Sequence, residues 1–474
     1  NQFGRWRFEK VLLDFRPDVV IDVRDYWMSS YQSSSPLRKF FHWILMPTVD
    51  SAPQQEEWLQ TFLSADSIFT YSDWGAEVLK KQTSNKIKYI DTTSPGVDLE
   101  SFTVMDNIDQ IKQELHLPKD CVVIGSVMRN QKRKLIPELL IVFRNLLDIL
   151  ENTNPELGKK IILYLHTSYP DAGWDIPELL KDNRLANKVY FTYSCRKCSN
   201  IEASLFQGPA KICEKCLEKS STLTSVTNGV ASKELAKIYN IFDLYVQYSI
   251  CEGFGMPQVE AAACGVPVFT VNYSAMVDII NKLEAVPIEP GVMFKELETK
   301  AYRSYPDNNQ LLEKILEFLN LEDDKKKEKR NRTRLLTEKY YNWDDIAKKW
   351  ERHLDLIDIN YRSDWNKPIQ YLNANIDVNS YKANDSFTKT LNICGDLLKD
   401  RKKAANMNFL NYLQGSDYGF IMMGMNVQPT SYNNVLDNIK TMIDNNNQSE
   451  NVRVNNIKFN DDFIQYAHIK NKTI

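Results

Sequence analysis

Residues 243–271, DLYVQYSICEGFGMPQVEAAACGVPVFTV, constrain the fold of this chain more than any other stretch. Asp243 to Ser249 is short and rich in β-forming residues, as a buried parallel strand is. Gly253 and Gly255 follow, and Pro257 then suits the first turn of a helix, where a missing N–H is not needed. Gly265 stands where that helix ends, and VPVFTV begins another strand. Strand, glycine loop, helix and strand make one unit of a parallel α/β sheet, which binds ligands at the carboxyl ends of its strands. There the strand delivers Cys251 and Glu252, the loop lets backbone approach a ligand, and the helix start offers free N–H groups to an anion such as a diphosphate. Glu260, one turn into the helix, is placed to accept from paired hydroxyls such as a ribose diol. The plainer alternative is a glycine loop that only turns the chain, since such loops alone are weakly diagnostic.

The rest of the chain supports the same class. A helix is expected over 5–15, a strand over Asp18 to Val23, and a second strand, HWILMPTV, ending at Asp50. Helix 58–63, strand 67–72, a helix opened by Asp73-Trp74-Gly75 and strand 87–91 continue the alternation of a helix-covered parallel sheet. A second sheet begins with CVVIGSV, which contains Gly125, and runs into Met128-Arg129-Asn130-Gln131-Lys132-Arg133-Lys134 and a long apolar helix. Arg129 and Lys134, at the carboxyl end of that strand, are two cations able to neutralise a diphosphate leaving group; a solvated basic helix start is the alternative. Strands 160–168 and 188–194 follow, with His166 read as a core histidine. Cys195-x2-Cys198 and Cys213-x2-Cys216, with fourteen residues between them, then offer four thiolates for a tetrahedral structural zinc. A closed four-sulfur site folds a loop and does no chemistry, so this ribbon, 193–222, is expected to be a separable insertion whose loss leaves donor binding largely intact.

Glu252-Gly253-Phe254-Gly255-Met256-Pro257, Glu260, and Gly265 through Val268 resemble the donor-site motif of the retaining glycosyltransferases of family 4, the glycosyl transferases group 1. Val49-Asp50, the SDWG turn, the PGVD…F exit at 95–102, and Asn342-Trp343-Asp344 with its helix resemble the same family over roughly residues 10–357, the ribbon excepted. The resemblance implies an α/β protein of two facing Rossmann-like domains (GT-B): an acceptor-side domain over 1–102, N-terminally truncated, and a nucleotide-sugar donor domain over 103–340. A helix over 341–357 would cross back to the first domain, and 358–474 is a C-terminal extension without an assigned role. It also implies site roles: Glu252, Arg129, Lys134 and Asp50 catalytic, and Gly125, Gly253, Phe254, Gly255, Met256, Pro257 and Glu260 holding the donor. The expected reaction is hexosyl transfer from a nucleoside diphosphate sugar to a saccharide or other hydroxyl acceptor, with retention and without a catalytic metal.

Composition sets limits on this reading. With 474 residues the chain is long enough for two or three domains, and 43% hydrophobic and 26% charged residues are usual for a globular protein. A net charge of −3 demands no polyanionic partner, so nucleic acid is disfavoured. No run approaches the roughly 20 apolar residues of a membrane span. Four cysteines standing singly (Cys121, Cys251, Cys264, Cys394) suit a reducing, cytoplasmic setting. The first residue is not methionine, so the natural start is expected upstream. Oligomeric state is not legible. Two rivals remain: a phosphorylase on the same scaffold, and a nucleic-acid-binding or modified-base-glycosylating module that uses the ribbon.

Overall fold

The structure is a computed structural model that describes residues 2–225 and 227–358, together with strands 419–425, 452–459 and 462–469. Residues 1–365 and 366–474 form two compact units.

The first unit holds two parallel sheets. In the smaller, β1 (Val19–Asp25), β2 (His42–Thr48), β3 (Ser67–Thr70) and β4 (Tyr89–Thr92) lie in sequence order, all parallel. Strand β3 stops two residues earlier than its composition suggests because Ser72 leaves the ladder to cap the helix Asp73–Gln82, its Oγ accepting from the Gly75 N–H at 3.0 Å. The helix Trp343–Asp355, capped by Asn342, packs on this sheet: Trp350 stacks on Phe69 with ring centres 4.2 Å apart, and Lys349 donates to the Thr92 carbonyl at 2.9 Å.

The larger sheet contains β5 (Val122–Val127), β6 (Ile161–His166), β7 (Val189–Cys195), β8 (Ile201–Leu205), β9 (Ala210–Lys211), β10 (Ser221–Leu223), β11 (Leu244–Gln247), β12 (Val268–Val271) and β13 (Val286–Ile288). Its order is β13-β12-β11-β5-β6-β7-β10-β9, with β8 also on β7. From β13 to β7 the pairing is parallel. The chain builds outward from β5 through β6 to β7, then returns to β11 and builds the other way. The reversal between β5 and β11 opens a crevice at their carboxyl ends, where an open α/β sheet takes its ligand. Alternation along the strands supplies two cores. Leu163 and Leu165 meet the helix Ile136–Thr153, while Val123 and Tyr164 face Tyr239, Phe242 and Tyr245.

The knuckles do not interrupt this sheet as a detached module. They extend it: β8 and β10 pair antiparallel with β7, and β9 with β10, so Cys195 is the last residue of a core strand. A hairpin of β14 (Pro290–Lys295) and β15 (Tyr302–Pro306) reaches the first sheet's loop, where the Tyr302 N–H donates to the Ala52 carbonyl at 2.8 Å.

The charge run 323–340 is a helix, but not only a solvated face. Arg334 donates to the carbonyls of Phe102 and Ala263 at 2.7 and 2.6 Å, and Arg330 to that of Phe242 at 2.9 Å. They neutralise a helix C-terminus and a loop from below.

In the second unit β16 (Gly419–Met425), β17 (Val452–Phe459) and β18 (Asp462–Ile469) form an antiparallel sheet with β18 in the middle. Strand β16 carries the sequence GFIMMGM. The segments LLKDRKKAANMNFLNYLQ and NNVLDNIKTMIDNNN lie outside the described residues.

Candidate active site

At the reversal, the glycine loop follows β11 and the basic segment follows β5. Glu252 sits at their junction and is 4% exposed. One carboxylate oxygen accepts from Lys134 Nζ, from Gln247 Nε2 at 2.6 Å and from Ser249 Oγ at 2.9 Å. The other accepts from the Arg133 guanidinium at 2.9 Å. Burial alone would raise this carboxyl, but Lys134 and Arg133 outweigh it and hold its pKa down at about 2. Burial also pushes Lys134 below the usual lysine value, against the pull of Glu252. Two cations thus share one carboxylate, and Asp50 adds a second negative charge near Arg133.

Arg133 was not singled out by spacing. The structure places it beside Glu252, next to Lys134. Arg129 instead makes a two-pronged ion pair with Asp171, both N···O distances being 2.8 Å, so it and Lys134 engage different carboxylates. The loop carrying Asp171 also braces the basic segment: Asn130 and Trp174 exchange hydrogen bonds at 2.8 and 2.9 Å, and Trp174 Nε1 donates to the Lys134 carbonyl at 2.7 Å.

Helix Met256–Ala263 starts where expected. Gly255 adopts φ +89°, a left-handed turn that glycine takes freely, and Pro257 occupies the first turn. The helix ends in a Schellman turn at Gly265, φ +72°, with the Val266 N–H on the Ala261 carbonyl at 3.0 Å. Glu260 is held by the Tyr239 hydroxyl at 2.7 Å, and burial raises its pKa. Phe254 and Met256 pack into the core, Phe254 against Tyr341 at 5.8 Å between ring centres, so only their backbone faces the crevice. Gly125 lies inside β5, where a Cβ would come within 2.1 Å of the Phe242 ring. Its missing side chain serves packing rather than ligand approach. Gly253 lacks one for another reason: a Cβ would lie 2.2 Å from Thr48 Cγ2 on the opposite sheet.

Asp50 comes from that opposite sheet. It pairs with Arg303 Nη1 at 3.0 Å, and the Cys251 thiol faces it at 3.5 Å. Arg303, 4% exposed and also bound to Glu296 at 2.8 Å, went unnoticed in the sequence because it sits on a hairpin without a motif. Asp50 and the Glu252 loop are therefore adjacent, joined through Cys251. On the base of the larger sheet, Arg129, His166, Thr224, Ser225, Gly229 and Pro257 line a cavity of about 200 Å³. His166 bonds Thr192 at 2.9 Å, and burial pushes it down to about 4, which keeps it neutral.

The four cysteines converge. Their sulfurs lie within 4.8 Å of one another, with Cys195–Cys216 and Cys198–Cys213 both at 3.6 Å and no disulfide. Tetrahedral zinc with Zn–S near 2.3 Å separates its sulfurs by about 3.8 Å, so this donor set fits zinc.

Known proteins agree with this architecture. Residues 211–334 match the family model "Glycosyl transferases group 1". A D-inositol 3-phosphate glycosyltransferase of Stackebrandtia nassauensis is 28% identical over 209 residues, 44% of this chain and 39% of that protein. Its namesake in Thermobifida fusca is 25% identical over 212 residues, 45% and 41% of the two chains. This chain thus spans about two fifths of the length of these relatives. Among solved structures, sucrose-phosphate synthase from Thermosynechococcus elongatus superposes with a TM-score of 0.52 at 17% identity, over 74% of this chain and 76% of that one. Anabaena Alr3699/HepE in complex with UDP and glucose gives 0.53 at 12%, over 75% and 84%. Two parallel sheets and the superposition on solved structures give the first unit a GT-B fold, and residues 211–334, which carry the donor-side motif around Glu252, match the glycosyl transferases group 1 family.

Proposed function

We propose that this chain is a retaining glycosyltransferase that takes a sugar, most simply a hexose, from a nucleoside diphosphate and places it on an acceptor hydroxyl. The observation that carries this reading is the gathering of two cations, Lys134 and Arg133, on Glu252 next to the N-terminus of helix Met256–Ala263. The anomeric carbon's bond to the diphosphate breaks while its bond to the acceptor oxygen forms on the same face, and the hydroxyl proton passes to the departing diphosphate. Lys134 and Arg133, with Arg129 at the rim and the amides after Glu252, oppose the charge that develops on the leaving group. Glu252 orients the sugar through its backbone neighbours and fixes the cations. Glu260 lies three residues past Pro257, on the same helix face, so its free carboxylate oxygen meets a ribose whose base enters the cavity beside Arg129 and His166. Asp50 approaches from the acceptor side. The names of the two curated relatives suggest a small polyol or sugar as acceptor.

A panel of UDP-, GDP- and ADP-sugars scored by thermal shift tests the reading, because a ligand of the native state alone raises the midpoint by mass action. One donor is expected to stand out, to survive EDTA, and to yield a product of unchanged anomeric configuration by NMR. Release of sugar 1-phosphate without nucleotide would assign a phosphorylase instead.

A further inference from the structure

The stretch after β10 separates the cysteine knuckles from the cavity. Thr224, Ser225 and Gly229 form one wall of that cavity, opposite Arg129 and His166. The other side of the same stretch, including Asn228, borders a pocket shared with Cys195 and Arg196. Asn228 ties the two sides together. Its side-chain N–H₂ donates to Thr222 Oγ1 on β10 at 2.8 Å and to the Ser194 carbonyl on β7 at 3.3 Å, while its backbone N–H reaches Ser225 Oγ and O, both at 3.1 Å.

Both anchors of Asn228 lie on strands held by the cysteines. Ser194 directly precedes Cys195, and Ser221, beside Thr222, is the register partner of Cys195. Strand β10 has three residues and β9 two, too few to hold their places by pairing alone. Metal binding at Cys195, Cys198, Cys213 and Cys216 would add to the folding energy of these short strands.

We propose that the loaded four-cysteine site sets the wall of the nucleoside cavity, and that Asn228 is the positioning residue that carries this constraint from the knuckles to Ser225 and Gly229. The inference rests on the nucleoside diphosphate reading above. It replaces the expectation of a separable ribbon: metal at the edge of the sheet tunes how well a nucleoside is held, although none of the four knuckle cysteines lines the cavity.

The test compares wild type, Asn228→Ala and Asn228→Asp by isothermal titration with UDP, GDP and inorganic diphosphate, alongside zinc content. Loss of a hydrogen bond that positions the wall should weaken the preferred nucleoside diphosphate by about ten-fold in both variants. Zinc content should stay at wild-type level, inorganic diphosphate should bind as before at the Lys134 end, and KM for the donor should rise with kcat little changed. Thr222→Val removes the shorter of the two side-chain bonds from outside the cavity and should reproduce part of the loss, without adding to it in the double variant. Chelator-treated wild type should show the same selective loss. Wild-type nucleoside affinity in a zinc-loaded Asn228→Ala protein overturns the inference, as does an equal loss for inorganic diphosphate. A wild type that binds inorganic diphosphate but no nucleotide fails earlier, at the functional reading, and this inference falls with it.

Discussion

Glu252→Gln isolates the charge balance at the floor of the crevice. The amide keeps the shape and can still bond Gln247 and Ser249, but it leaves Lys134 and Arg133 without a counter-charge. The Arg133 side chain is 41% exposed and can turn toward water; that of Lys134 is 8% exposed and cannot. Breaking a buried pair costs about 3–5 kcal/mol, and with one cation free to escape the lower end, about 3 kcal/mol, applies. At roughly 2–4 °C per kcal/mol for a domain of this size, the midpoint of the donor-side transition should fall by about 6–12 °C near neutral pH. The pH dependence identifies the culprit. Burial already depresses Lys134, and without Glu252 its folded pKa drops further below the unfolded value of 10.5. The unfolded state then binds more protons, so the variant's deficit should shrink as pH rises toward that value. In wild type the contribution of Glu252 runs in the acid range: its folded pKa of about 2 lies below the ordinary 4.5, so the stability is complete above 4.5 and is lost as pH falls through about 2. Differential scanning calorimetry of both proteins across this range is the assay. An unchanged midpoint near neutral pH, or a deficit that does not vary into the alkaline range, would falsify the assignment of an uncompensated Lys134.

Arg303→Ala should cost about 2 kcal/mol, less than a fully buried pair because Asp50 and Glu296 keep some access to water, and should speed proteolysis between β14 and β15; wild-type resistance would mean that the hairpin needs no clamp. Glu260→Ala should weaken nucleoside diphosphate binding by about 1.5–3 kcal/mol in calorimetric titration, and unchanged affinity in the folded protein removes its ribose role. Arg129→Ala should leave stability little changed, since the Arg129 side chain is itself 49% exposed, yet lower turnover; equal activity would show that the Asp171 pair is only structural. Elemental analysis should find about one zinc per chain, and Cys213→Ser should speed hydrogen exchange from β7 through β10; a zinc-free protein with four reactive thiols contradicts the site.

The parts of the fold that were legible share one property: their signal is local. The glycine loop, Pro257 and Gly265 each answer a backbone demand that a single residue type meets, and the structure places all three as read. Four cysteines in two pairs carry their geometry in their spacing. What escaped notice depends on partners distant in sequence. Arg133 and Arg129 are four residues apart on one basic segment, and only the position of Asp171, 42 residues from Arg129, decides which of them turns inward. That Gly125 also makes room for the Phe242 ring was not legible, because nothing near it in sequence reveals Phe242. That the ribbon's strands join the larger sheet was not legible, because strands as short as β9 and β10 have no periodicity by which to recognise them as sheet.

The contact between Gly253 and Thr48 has a consequence for how this chain can vary. The two sheets meet there with no room for one carbon atom, and the obstructing atom is the γ-methyl of a β-branched residue whose rotamer is stiff. The Thr48 Cβ itself stands clear, at 3.6 Å. The two positions therefore share a fixed allowance of volume across the cleft. An alanine at 253 wedges the halves apart on its own, but becomes tolerable once Thr48 is serine, which keeps the hydroxyl and surrenders the methyl. Neither residue can be understood as a choice made within its own sheet; together they act as the gauge that sets how narrowly the cleft can close.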